Sequence, residues 1–388
     1  MEIRDVTAGD LDAVLDNRKR AFGPIPAGDV ETWRSMVSAS LGEGRYLGVF
    51  DGDRLVATSR IHRFDQWWHG RRISMGGVAS VTVAPEDRGR GIGRMLMRAT
   101  VDRCAELGHV ASALYPATTP IYRSLGYEHA GARHRVTVPA EALRTLTAGD
   151  APVKLRRLGP DDASELAATL DRVYAATRAS GPIGWDERLT RLWLSDDDDY
   201  GYLAEDGYVM YSWHEGDIDV DNLVAGSHAT ARALWSLVGT ASSVAKTVRA
   251  IVEPDDPMLW LLRERSRDSV EQVRWMFRLV DLPMAIAGRG YPAGVEADAV
   301  IVVDDPLRPA NSGAWRLCVS GGSGTATPSS APAGHQVPRL AIGGMSALYA
   351  GVHTSSLRRA GLLTGGTTEL DDLLGAVFAA KPYMIDYF

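Results

Sequence analysis

Cysteine is almost missing from this chain. Only Cys104 and Cys318 occur in 388 residues, which excludes a disulfide framework and a zinc site built on thiolates. Lysine is nearly as scarce, standing only at positions 19, 154, 246 and 381. Arginine therefore supplies almost all of the 42 basic residues, a bias that reads as genomic base composition and not as a demand for guanidinium groups. Positive charge is not in excess either: 49 acidic residues leave a net charge of −7, so neither nucleic acid nor a membrane is expected as a partner. Long apolar runs are absent. The longest stretches, at 299–303 and 373–380, fall far short of the ~20 residues that span a bilayer. The opening Met1-Glu2-Ile3-Arg4-Asp5-Val6 is acidic and lacks the apolar core of a secretory signal, so a soluble cytoplasmic protein is expected. The nine histidines show no ligand spacing, and no metal is expected.

What is present is ordinary globular material. At 45% hydrophobic and 23% charged the composition supports several cores, and the length favours two or three domains. Up to about residue 140, helical and strand patterns alternate. Leu11, Val14 and Leu15 recur at helix spacing behind a Thr7/Asp10 cap signal. Strands are predicted at 45–50 and 55–64, joined by the Asp51-Gly52-Asp53 turn, then at 72–75, 78–83, 110–114 and 133–138. Helices are predicted at 92–107, closed by Gly108, and at 119–125. From Lys154 the order begins again. Residues 154–162 repeat the short strand and acidic helix start of 2–10, 202–210 repeat the hairpin, and 229–238 the long helix. This is the pattern of a degenerate internal duplication. The texture changes near Asp281, with strands predicted at 299–303 and 315–319, a structureless Gly/Ser/Pro/Ala loop at 321–334, and amphipathic helices at 346–352 and 369–380. Three domains are expected, at 1–150, 151–283 and 284–388.

The segment that carries chemistry is Val81-Thr82-Val83-Ala84-Pro85-Glu86-Asp87-Arg88-Gly89-Arg90-Gly91-Ile92-Gly93-Arg94. A strand runs into an Arg-x-x-Gly-x-Gly turn that opens an amphipathic helix. Main-chain N–H groups thus collect at a helix N-terminus, where the macrodipole favours negative charge. Gly89, Gly91 and Gly93 put no Cβ in the way of a pyrophosphate, and Arg88, Arg90 and Arg94 add charge. A Walker loop is excluded because no Gly-Lys-Ser/Thr is present. The dinucleotide fingerprint fails because Arg94 stands where its third glycine belongs. A glycine-rich turn with no ligand is the bland alternative.

With the Val-x-Val strand ahead of it and Ile121-Tyr122-Arg123-Ser124-Leu125-Gly126-Tyr127 behind, this loop resembles that of the GCN5-related N-acetyltransferases over about residues 1–140. The wider plan adds a second acetyltransferase-like half without the motif, a final domain resembling sterol carrier protein folds, and an aromatic last residue. That combination resembles the Eis (enhanced intracellular survival) acetyltransferases over essentially the whole chain. The resemblance implies an α/β (α+β) fold class: tandem GCN5-related acetyltransferase folds, the second degenerate, followed by a sterol-carrier-protein-like α/β domain, assembled as a homohexamer.

It also implies acetyl-CoA as co-substrate. Val81, Thr82 and Val83 would offer main-chain groups to the pantetheine arm. The N–H groups of Gly89, Arg90, Gly91, Ile92, Gly93 and Arg94 would surround the pyrophosphate, and Ala117 and Thr118 would meet the far end of the cofactor arm. Tyr122 matches the general acid that protonates the leaving thiolate. Phe388 takes a less usual part: its terminal carboxylate, not its ring, would reach back to the first domain and accept the proton of the substrate amine. An unperturbed α-carboxyl titrates at about 3.3–3.7, a weak base that burial strengthens. Transfer is then direct, with the oxyanion forming near the strand's N–H groups. Cys104 falls inside a helix pattern and is packing. Residues 223–230, aligned with the loop, keep one glycine and no arginine, so the second half is expected to be scaffold that binds no CoA.

The acceptor is expected to be a small-molecule primary amine, an aminoglycoside or a lysine amine among them, held by acidic and aromatic walls. Trp33 and Asp386 are the candidate residues, with Trp67 and Trp68 as further aromatics. The loop Phe22-Gly23-Pro24-Ile25-Pro26 carries no acid, and the penultimate residue is Tyr387. Acids near these positions help some family members hold aminoglycosides, so their absence counts against broad aminoglycoside acetylation. The alternative function is non-enzymatic binding of CoA, or of an apolar ligand in the sterol-carrier-like domain.

Overall fold

Residues 1–38, 40–144, 146, 153–262, 269–330 and 337–388 are described by the computed structural model of the chain. The first half runs β1 (Glu2–Asp5), α1 (Leu11–Phe22), α2 (Val30–Ser38), β2 (Tyr46–Asp51), β3 (Arg54–Trp68), β4 (Arg71–Val83), α3 (Ile92–Glu106), β5 (Ala111–Leu114), α4 (Thr119–Arg123), β6 (Glu128–Pro139) and α5 (Ala140–Arg144). The second repeats this order with β7 (Arg156–Leu158), α6 (Ala163–Ala176), β8 (Ile183–Gly184), α7 (Glu187–Trp193), β9 (Asp199–Ala204), β10 (Gly207–His214), β11 (Asp217–Ala225), α8 (His228–Gly239), β12 (Thr247–Val252), α9 (Met258–Leu261) and β13 (Ser269–Leu279). The remainder is α10 (Leu282–Gly288), β14 (Ala297–Asp304), β15 (Gly313–Ser320), β16 (Ser323–Ser329), β17 (Arg339–Ala341), α11 (Ile342–Tyr349), α12 (Thr354–Arg359) and α13 (Thr368–Val377).

Two acetyltransferase folds and a sterol-carrier-like α/β layer are thus joined, as expected, but the halves are not beads on a string. Their strands form one sheet in the order β1-β2-β3-β4-β5-β13-β6-β12-β11-β10-β9-β7. Each half lends its last strand to the other. β13 lies between β5 and β6, pairing Met276 with Leu114 and Phe277 with Glu128, while β6 pairs with β12 through Val138 and Val248. Neither sheet closes on its own residues, so the main-chain ladder itself couples the halves.

Three local expectations are revised. The strands expected at 72–75 and 78–83 are one strand, β4, kinked by a bulge at Ser80, which takes φ +52° where the register with β3 slips. A bulge bends a strand without ending it, so alternation breaks in the sequence while the ladder continues. Part of the loop expected at 321–334 is the edge strand β16, and residues 331–334 lie outside the described residues. The helix expected at 346–352 begins at Ile342 and is buried on nearly every side, so it has no polar face to mark its start.

The core of the third part is continuous with that of the first. Trp68, Trp275 and Phe277 pack with Trp315, Tyr349 and Phe378 in one cluster, and the fully buried Arg289 guanidinium lies 4.6 Å from the Tyr349 ring centroid and 5.1 Å from that of Tyr291. No helix among the described residues is long and apolar enough to cross a membrane.

Candidate active site

The first half opens where two of its strands part. β4 and β5 pair only through Met75–Ala111, Gly76–Ser112 and Gly77–Ala113. Beyond Gly77 they diverge, so that among the described residues no strand lies beside Val81, Thr82 and Val83 on the β5 side, and the Val83 carbonyl accepts from Arg88 Nε at 3.4 Å. A cleft of about 600 Å³ fills the fork, walled by Val81, Thr82 and Val83, by Ala117, Thr118 and Tyr122, and at its end by Arg88, Gly89, Gly91, Ile92, Gly93 and Arg94.

The loop geometry suits an anion. Gly89 and Gly91 take φ +77° and +76°, and nothing lies within 4 Å of where a Cβ would stand on either. Gly91 caps α3 without a side chain, and the N–H groups of Ile92, Gly93 and Arg94 find no acceptor among the described residues. Gly93 serves packing instead, since a Cβ there would meet Ile121 Cδ1 at 3.2 Å. Arg90 departs from expectation. It donates to buried Asp87 at 2.5 Å, as Arg54 does at 2.7 Å, and so braces the loop without lining the cleft. A groove of about 400 Å³, bounded by Arg98, Leu125 and Leu307, shares Gly91 and Arg94 with the cleft.

Tyr122 is buried on α4, edge-on to Tyr127 with centroids 6.1 Å apart. Tyr127 is committed to Ser112 at 2.8 Å, whereas nothing among the described residues hydrogen-bonds the Tyr122 hydroxyl. Burial raises its pKa, so it is protonated at neutral pH. Arg278, fully buried and paired with Asp305 at 2.8 Å, holds the end of this short helix by donating to the Leu125 carbonyl at 2.6 Å. Cys104 is packing as expected, its thiol pushed up to about 12 by burial.

The C-terminal segment returns to the first half. Tyr115 donates to the Asp386 carbonyl at 2.8 Å, Arg133 to that of Ile385 at 3.0 Å, and Trp185 Nε1 to Asp386 Oδ1 at 2.9 Å. The Phe388 ring lies 5.0 Å from that of Phe64 and 5.6 Å from that of Tyr115. It has room because of Gly77, where a Cβ would stand 3.0 Å from it. His62 closes the other side at 6.3 Å, held neutral with its pKa near 3 by burial and by Arg60.

Beside the last residues is a pocket of about 740 Å³ whose lining includes Thr32 and Met36 of α2, Trp185, Trp193, Asn222 and Tyr387. Four carboxylates line it, those of Asp196, Asp197, Asp221 and Asp386, against one cation, Arg133. Burial pushes Asp386 up to about 6 and raises Asp221, and neighbouring Asp199 reaches about 6 through burial and then the nearby aspartates. Asp386 therefore stands in the lining of this acidic pocket. Trp33 packs against the cluster around Val6 and Leu11, and Trp68 is core. The acids do not come from residues 22–26, which lack them. Three of them, Asp196, Asp197 and Asp221, come from the second half, which is wall as well as scaffold. The run Asp196-Asp197-Asp198-Asp199 was the legible signal for this, and periodicity passes over it.

Comparisons with known proteins agree with this geometry. Family models described as acetyltransferase (GNAT) domains match residues 2–130 and 182–279, and one described as a sterol carrier protein domain matches 282–385. The solved GCN5-related N-acetyltransferase from Kribbella flavida is 46% identical with a TM-score of 0.96, covering 100% of this chain and 98% of that one. The N-acetyltransferase Eis of Mycobacterium tuberculosis is 29% identical over 328 residues, 78% of each chain. Eis1 from Mycobacterium abscessus, 23% identical with a TM-score of 0.78 over 100% of both chains, shares the fold.

Proposed function

The chain belongs to the GCN5-related N-acetyltransferases and is of the Eis type, and from that premise we propose that it moves an acetyl group from acetyl-CoA directly to a primary amine of a small polycation. The seat of the C-terminal segment carries the reading: Asp386 and Tyr387 line the acidic pocket while Phe388 lies on Gly77, at the root of the fork that opens into the cleft.

The cleft fits a CoA thioester as co-substrate, which brings the activated acetyl group. Val81, Thr82 and Val83 bind the pantetheine amides and offer N–H groups to the carbonyl oxygen as it gains charge. The first turn of α3 holds the pyrophosphate, with Gly89 and Gly91 allowing close approach and Arg88 and Arg94 supplying charge. Ala117 and Thr118 hold the inner end of the arm. Tyr122 donates its phenolic proton to the departing sulfur. The α-carboxylate of Phe388 accepts the proton of the attacking amine. His62, neutral and with a much lowered pKa, is too weak a base to compete. Asp196, Asp197 and Asp221 hold the other ammonium groups of the acceptor, which favours polyamines and aminoglycosides over singly charged amines. Assembly as a hexamer is implied by resemblance and is checked by light scattering.

The test is acetyl-CoA-dependent thiol release across aminoglycosides, polyamines, arylalkylamines and lysine peptides, using an N-terminal tag. Deleting Phe388 shifts the carboxylate by one residue and is expected to lower kcat by about 10²-fold or more, whereas Phe388→Leu stays within about tenfold of wild type. Equal loss in both removes the carboxylate as base. Silence across the panel with no CoA binding overturns the reading.

A further inference from the structure

The second half contains a remnant of the cofactor cleft. Leu223, Val224 and Ala225 end β11 as Val81, Thr82 and Val83 end β4, and α8 comes next as α3 does. Between them only about 30 Å³ is left, lined also by Tyr174, Trp235, Glu253 and Tyr383. One of these residues comes from outside the half. Tyr383 belongs to the C-terminal segment, is buried, and sets its phenol against the Glu253 carboxyl.

Two glycines stand where that segment enters. Gly181 takes φ +103°, and a Cβ on it would lie 2.2 Å from the Tyr383 carbonyl oxygen and 2.5 Å from its nitrogen. Gly131, on β6, would place a Cβ 2.3 Å from the Pro382 carbonyl oxygen. No side chain fits at either position while the segment keeps its course. Main-chain bonds clip it on both sides, Tyr383 N–H to the Ser180 carbonyl at 3.1 Å and Met384 N–H to that of Ala132 at 3.3 Å.

We propose that the closed cleft of the second half, with Gly131 and Gly181, is the socket that sets the register of the C-terminal segment and thereby aims Phe388 into the first half. The aiming rests on the proposed role of the terminal carboxylate; the socket does not. A slip of one residue in an extended segment moves every later residue by ~3.4 Å, and misplacement of a reacting group by ~1 Å already costs about 10²-fold in rate. Gly181, Gly131 and Tyr383 are positioning residues, acting on the reaction through Phe388 and touching neither substrate.

The experiment uses the full chain with Gly181→Ala and, separately, Tyr383→Phe. Release of Phe388 by a carboxypeptidase reports whether the segment is seated, independently of catalysis. Gly181→Ala is expected to speed that release at least tenfold and to lower kcat at least tenfold, with the KM for acetyl-CoA within twofold of wild type. Tyr383→Phe keeps the ring and is expected to speed release severalfold. If Gly181→Ala does not fold, Tyr383→Phe reads the same rate. Release at the wild-type rate in the folded variants overturns the socket, as does a KM for acetyl-CoA that rises in step with the loss of kcat. A Phe388 deletion that keeps full turnover sinks the base assignment alone, because the release rates still judge the socket.

Discussion

The two acetyltransferase-like halves keep the same order of elements and differ in what joins the fourth main strand to the next helix. Eight residues, 84–91, separate β4 from α3, whereas only Gly226 and Ser227 separate β11 from α8. The long connection leaves α3 uncapped, with its first N–H groups facing a cleft of about 600 Å³. In the short one Ser227 turns back and accepts from the Thr230 N–H at 3.2 Å, so α8 satisfies its own N-terminus. Trp235, Tyr174 and Tyr383 then fill what would have been a cleft, leaving about 30 Å³. Charge divides the same way. Arg88 and Arg94 line the first cleft beside Asp87, whose carboxylate is paired with Arg54 and Arg90, whereas Glu253 and Asp256 line the second, where burial pushes these acids up to about 7 and about 6. The lesson is that one fold keeps its sheet and helices while the cleft beside them is capped and filled. The closed half is still not inert, because its aspartates wall the acidic pocket beside the C-terminal segment and its remnant receives Tyr383.

Tyr122→Phe tests the open half. It keeps the ring and is expected to lower kcat by about 10²-fold or more while acetyl-CoA affinity, measured by calorimetry, stays close to wild type. Full activity would remove Tyr122 from the chemistry. Trp235→Ala tests whether filling alone closed the second half. Thermal or urea denaturation should show a loss of about 3–5 kcal/mol, with no second equivalent of CoA bound, because Ser227 and the two acids remain. A gained CoA site would break the contrast between the halves. Neutralising the acidic wall with Asp196→Asn and Asp197→Asn should raise the KM for a polycationic acceptor severalfold and flatten its salt dependence, with the KM for acetyl-CoA unmoved. An unchanged acceptor KM would return the second half to scaffold. Ser227→Ala is the smallest expected effect, about 1 kcal/mol of stability with no change in turnover.

Much of this was legible in the residues. The Arg-x-x-Gly-x-Gly loop is local, and its helix-capping geometry depends on neighbours in sequence, so the cleft could be read before any fold was known. The reduced loop at 223–230 announced the closed half in the same way. Asp386 was singled out because an acid beside an aromatic ending is conspicuous, and the structure places it in the lining of the acidic pocket. Trp33 was misplaced because helical spacing does not say which face of α2 meets the core, and that face turned out to present Thr32 and Met36 to the pocket. That the Arg90 side chain pairs with Asp87 was not legible, because its choice of partner depends on the turn's three-dimensional course.

The sequence by itself determined the element order, the duplication, the glycine-rich helix-opening loop of the first half and its loss from the second. These depend on residue type and short spacing. Only the tertiary structure decided that β13 and β6 are exchanged between the halves, that three aspartates of the second half meet Asp386 of the C-terminal segment, and that Gly131 and Gly181 leave that segment a passage. Such facts join residues as far apart as Gly181 and Tyr383. Local periodicity holds no information about contacts at that separation, which are selected by how sheets pair and how side chains pack.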